Sequence, residues 1–172
     1  KNLKGLYSRF LGGFSPLFVP MLDKNLTEFL EQGLAIHIGT RNERLQPNGG
    51  RVTAVRVEDE GRHIVAFIPK AAHKGVLEDL QSNGQAALSC TRPADDRAVQ
   101  VKGEFVSMRD ADPAEEKFAI EQWEGFLKQL DLIGLPGAST GTWTMWPCVA
   151  VKIRVTALFS QTPGPDAGAV LT

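Results

Sequence analysis

The chain has no excess of charge, no long apolar run and almost no cysteine, and each absence removes a class of protein. Basic and acidic residues number 19 and 20, so a general nucleic-acid or membrane-surface role is not expected. Cations matter here only where they cluster. No apolar stretch approaches the roughly 18 residues of a membrane span. The opening KNLKGLYSRFLGGF lacks the apolar core and cleavage site of a signal peptide. Cys90 and Cys148, the two cysteines, lie in apolar strand-like runs and read as buried, reduced thiols of a cytoplasmic protein. The three histidines, His37, His63 and His73, share no ligand spacing with each other or with the cysteines, so no metal site is expected. No Ser/His/Asp or Cys/His grouping stands out, which would leave the chemistry of any enzyme to a bound cofactor. GLPGASTG (134–141) follows a helix rather than opening one, so it is neither a P-loop nor a Rossmann turn.

What is present fits one domain of 172 residues, able to bury a core without disulfides. Residues 1–21 read as an arm packing on the body or on a partner. Asp23 caps a helix that Gly33 ends. Alternation predicts strands at 34–40, 51–57, 62–68, 85–91, 98–108 and 148–160. RLQPNGG (44–50) is turn chemistry. On the last strand Val149, Val151, Ile153, Val155, Ala157 and Phe159 are expected on one side. A short helix follows at 75–83. Asp112, Pro113 and Glu115 sign a longer one whose stripe is Ala119, Trp123, Phe126, Leu127 and Leu130. The tail 161–172 is too rich in Gly and Pro for regular structure. Six mostly antiparallel strands with flanking helices predict an α+β barrel over 34–160, since closure removes exposed edges.

The segment 51–103 carries the functional signal. Lys70 and Lys74 bracket the junction of a strand and a helix, where unpaired N–H groups and the positive helix end suit a phosphate. Arg51 and Arg56 stand five apart in RVTAVR, which in a regular strand puts them on opposite faces. Trp143 and Trp146 could cover a planar ring, plug a barrel end or line a dimer seam. His37, between Ala35 and Gly39 on its strand face, reads first as a satisfied core or interface residue.

The order of elements from about Leu34 to Phe159 resembles the pyridoxamine 5′-phosphate oxidase-like family of split β-barrels, many of which bind FMN at a homodimer interface. Arg51 and Arg56 match that family's Arg-x-x-x-x-Lys stretch, with Arg in place of Lys. Ala72, His73 and Lys74 fall on its Ser-Arg-Lys motif, keeping only the final cation. The family's flavin-contacting Gln falls on Ala98, with Gln100 two residues away. The resemblance implies FMN contacts from Arg51, Thr53, Arg56, Phe67, Ile68, Pro69, Lys70, His73, Lys74 and Gln100, and a homodimer acting on a small molecule. The family oxidases' C-terminal Trp and Arg-Leu-x-Pro region is missing, so pyridoxamine phosphate oxidation is not expected. The losses at Ala72 and Ala98 leave open a non-enzymatic binding or stress-related member. A haem-binding split barrel is a further alternative, with His37 the first residue to test.

Overall fold

The computed structural model describes residues 21–71, 74–135 and 143–171. Apart from Met21, the expected arm lies outside them. Seven strands run as β1 (Ala35–Arg41), β2 (Pro47–Val52), β3 (Ala54–Glu58), β4 (His63–Pro69), β5 (Gln85–Thr91), β6 (Ala98–Asp110) and β7 (Cys148–Ser160). The helices are α1 (Lys24–Leu30), α2 (Lys74–Asn83) and α3 (Pro113–Leu132). All pairings are antiparallel, in the order β2-β1-β5-β6-β7-β4-β3. The two edge strands, β2 and β3, are consecutive in the chain and joined by Thr53 alone. The sheet must therefore curl until its edges meet at Thr53, whose N–H donates to the carbonyl of Phe67 at 2.8 Å and extends the β3–β4 ladder. The result is the expected α+β split barrel, with one more strand than the pattern predicted.

The extra strand has two sources. The stretch 51–57, expected to be one strand, breaks at Thr53 into the end of β2 and all of β3. The turn expected over 44–50 is confined to its first part, where the Asn42 side chain accepts from Arg44 N–H and Gln46 N–H at 2.9 and 3.0 Å. Pro47 to Gly50 then pair with β1. Proline is tolerated there because it opens an edge strand.

Alternation places Ile36, Ile38, Leu88, Val101, Val151 and Ile153 inside the barrel. Late in β7 the expected side is lost. Lys102 pairs with Ala157 but Gly103 with Val155, so Thr156 is an extra residue in the ladder. Leu158, and not Phe159, then enters the core. Gly103 sits at the tight point, where a Cβ would lie 2.4 Å from Ile153 Cγ2. The tail folds back, with Leu171 N–H donating to Leu158.

Outside the barrel, α3 covers β3, β4 and β7 through a second apolar cluster of Ala54, Val65, Phe67, Ala119, Cys148 and Ala150. Its seat is backbone on backbone: a Cβ on Gly33 would fall 2.0 Å from the carbonyl carbon of Gly125. The Gln122 amide both accepts from Val55 N–H and donates to Val55 C=O, at 3.1 and 2.8 Å, while Glu31 accepts from Val57 N–H. These side chains occupy the open edge of β3, which would otherwise invite pairing with another chain. Among the described residues no helix is long and apolar enough to cross a membrane.

Candidate functional site

The break at Thr53 decides where the basic residues go. Val52 and Val55 both face the core although they are three apart. The side chains that face outward are consequently out of simple alternation. Arg51 lies over Trp143 and Phe126, and Arg56 lies over Phe67 and Phe118. The expectation of opposite faces is thus corrected, because both guanidiniums reach the α3 side. They reach different ends of it.

Arg56 belongs to a network of charges. Its Nη2 donates to Glu115 Oε1 at 2.8 Å and to Glu58 Oε1 at 3.0 Å. Glu115 also accepts from Arg109 Nη1 and Nη2 at 2.7 and 2.8 Å, and from the N–H of Asp112 as part of the capping box. Those bonds, Arg109 foremost, hold the Glu115 carboxyl down to about 2 against the effect of burial. Glu58 Oε2 accepts from Lys152 Nζ at 3.1 Å, and Lys152 reaches Asp59 at 2.8 Å. Burial works against the Glu58 charge, but Lys152 and Arg56 outweigh it and lower its pKa.

This network borders a cleft of about 580 Å³, lined by Arg56, Arg109, Asp110, Asp112, Glu115 and Phe118 among others. Phe118 tilts against Phe67 with centroids 6.0 Å apart. Lys70 Nζ meets Asp110 at the rim, 2.7 Å away. A smaller cavity of about 240 Å³ shares Arg109 with the cleft.

The structure therefore places Arg56 in the cleft wall and Lys70 at its rim, with Phe67 fully buried against Phe118. Lys74 opens α2 four residues beyond Lys70, is 90% exposed, and pairs with Glu78 at 3.5 Å. His73 lies outside the described residues. Ile68 and Pro69 are buried in the β4–β7 pairing, opposite Val149 and Cys148. Thr53 is buried and donates from its hydroxyl to the carbonyl of Met145 at 2.8 Å. Gln100 stands on another part of the sheet, in the lateral row Arg51–His37–Ser89–Gln100–Phe159. It is nine residues from Arg109 along β6, on the order of 30 Å at the usual rise per residue. In that row His37 is exposed, and burial and then the charge of Arg51 lower its pKa.

Arg109, Lys152 and Phe118 escaped the sequence reading. Their only trace was local: a basic residue at the end of one strand, another within the last strand, and an aromatic beside the stripe of α3. Glu115 was visible as a cap but not as the hub of two arginines.

The curled sheet, its edge strands joined at Thr53, and its outer helix define this chain as an α+β split β-barrel. Two solved structures show the likeness. HupZ of Group A Streptococcus is 15% identical over 86% of this chain and all of its own, with a TM-score of 0.52. A candidate pyridoxamine 5′-phosphate oxidase from Lactobacillus delbrueckii is 14% identical over 81% of this chain and 93% of its own, with a TM-score of 0.51. No protein-family model and no curated protein matches the sequence.

Proposed function

We propose that this protein binds FMN and acts as an oxidoreductase on a small molecule other than pyridoxamine phosphate. The observation that carries this reading is the cleft of about 580 Å³ on the outer face, walled by Phe118 and two fixed guanidiniums, with Lys70 at its rim. Its volume falls in the range of small-molecule and cofactor sites. The donors that would take the phosphate are Lys70 at the rim and, beyond the cleft wall, Lys74 and the first N–H groups of the ten-residue α2. Asp110 and Glu78, the present partners of the two lysines, are themselves largely exposed. Such pairs contribute little, so a dianion at a helix N-terminus displaces them. Arg56 and Arg109, clamped by Glu115, orient an acceptor-rich ring edge, and Phe118 shields one side from water. Bound FMN supplies hydride or electron transfer. The family resemblance adds a homodimer with the cleft at its seam, and the solved neighbour from L. delbrueckii is described as a candidate pyridoxamine 5′-phosphate oxidase.

The test is an FMN titration read by flavin fluorescence and visible absorbance. Lys74→Ala and Lys70→Ala should each weaken binding by about tenfold to a hundredfold, the range for a charged hydrogen bond. A protein that stays colourless throughout overturns the reading. Unchanged affinity in both variants puts the phosphate elsewhere.

A second reading has its own observation. His37 is exposed on a sheet face with Gly39 along β1 and Ser89 and Ala87 across on β5, and with Arg51 on its other side on β2. Its lowered pKa favours the neutral imidazole, which is the form that ligates iron. On this reading haem binds here. A Soret band that appears on haem addition and is lost in His37→Ala supports it, and no spectral change excludes it.

A further inference from the structure

The smaller cavity differs in chemistry from the cleft it adjoins. Its lining is Glu58, Val65, Ser107, Arg109, Ala150 and Lys152. Strand register explains why these six meet. Ser107 on β6 faces Lys152 on β7, which faces Val65 on β4, and Arg109 faces Ala150 two residues along, while Lys152 holds Glu58 of β3 by a hydrogen bond. Val65 and Ala150 make a low apolar floor from the outer cluster. Around it stand a hydroxyl, an ammonium and a guanidinium, with the Glu58 carboxylate held against the ammonium.

Formal charge in this neighbourhood balances, with Arg56, Arg109 and Lys152 against Glu58, Asp59 and Glu115. Hydrogen-bonding capacity does not. Lys152 spends two of its three N–H groups, on Glu58 and Asp59. Arg109 spends Nη1 and Nη2, leaving Nε–H without an acceptor among the described residues. The Ser107 hydroxyl makes no hydrogen bond there either. The acidic oxygens are already occupied by cations. The groups left available to a ligand are therefore donors, on the exposed Ser107 and Arg109 and on Lys152, above a small apolar floor.

We infer that this cavity is a subsite for a short-chain monocarboxylate, its oxygens on Lys152 and Ser107 and its carbon chain on Val65 and Ala150. A volume of about 240 Å³ corresponds to about eight water molecules at liquid density. That suits an acid of three or four carbons and rejects a long acyl chain. A dianion is disfavoured, because Glu58 sits beside the same ammonium. The role of the subsite as the substrate end of the flavin cleft rests on the reading above. Its preference for carboxylates does not.

The experiment is a titration of the isotope-labelled protein with propionate, followed by backbone amide shifts, without and with FMN. Saturable shifts at Val65, Ser107, Arg109, Ala150 and Lys152, absent with propylammonium, are expected. Lys152→Gln should weaken propionate by about tenfold or more and Ser107→Ala by a few-fold. Ser107 is exposed, so its truncation leaves the fold intact and serves if Lys152→Gln unfolds. No saturable shift with propionate, or equal shifts with propylammonium, overturns the inference. FMN binding without propionate binding sinks the subsite and leaves the flavin reading standing. Propionate binding without FMN binding does the reverse.

Discussion

Glu115 concentrates more of the local chemistry than any other side chain near the cleft. With only 11% of its side chain exposed, it joins two arginines to the N-terminus of α3. Its folded pKa of about 2 lies below its ordinary 4.5. A depressed carboxyl contributes stability that is complete above the ordinary value and disappears as pH falls through the folded one. Unfolding free energy from urea titrations should accordingly drop by about 2–3 kcal/mol between pH 5 and pH 2. Glu115→Gln should be less stable at neutral pH and lose most of that slope. An unaltered slope in the variant would assign the acid sensitivity to other carboxylates. The thiols behave as the composition suggested. Burial pushes Cys90 up to about 12 and Cys148 up to about 11. Both should resist a thiol reagent at pH 8 in the native protein and react after denaturation. The capping role of Glu115 was legible from its distance to Asp112. Its grip on Arg56, 59 residues earlier, was not.

At the scale of elements, the strands and helices were largely readable, because alternation and caps are short-range. Asp23 and Asp112 both cap as expected. The irregular points were hidden. The break at Thr53 and the extra residue at Thr156 exist because a curled sheet must bend, and no local preference marks them. They moved Arg51, Arg56 and Phe159 away from their expected faces. The edge of β3 offers a direct test. Gln122→Ala removes both partners of the Val55 backbone and should cost about 2–3 kcal/mol, measured by urea unfolding. It should also raise the tendency to self-associate, measured by light scattering. A variant of wild-type stability would mean that water replaces the amide without loss.

For the whole molecule, the close approach of Gly33 to Gly125 sets where α3 lies, and so where the cleft opens. Gly33→Ala would force a Cβ into the α3 backbone and should cost about 3 kcal/mol. The fluorescence of Trp123, packed on Phe126 and Trp143, should shift as the helix lifts. Gly125→Ala, with 3.0 Å to the facing Cα, should cost less. Equal stability of both variants with the wild type would show that the helix seat is soft.

The amino-acid order alone already settled a curled antiparallel sheet, three helices and a cationic strand–helix junction, because each follows from side-chain period and capping within a few residues. Folding in three dimensions settled which cations share a cleft. Arg56 came to meet Arg109 through Glu115, Lys70 came to stand on Asp110, and Lys152 came to lie beside Ser107. Those meetings depend on strand register, on a break at one threonine and on glycines that let backbones touch. Such long-range coincidences arise from packing, and spacing along the chain carries no record of them.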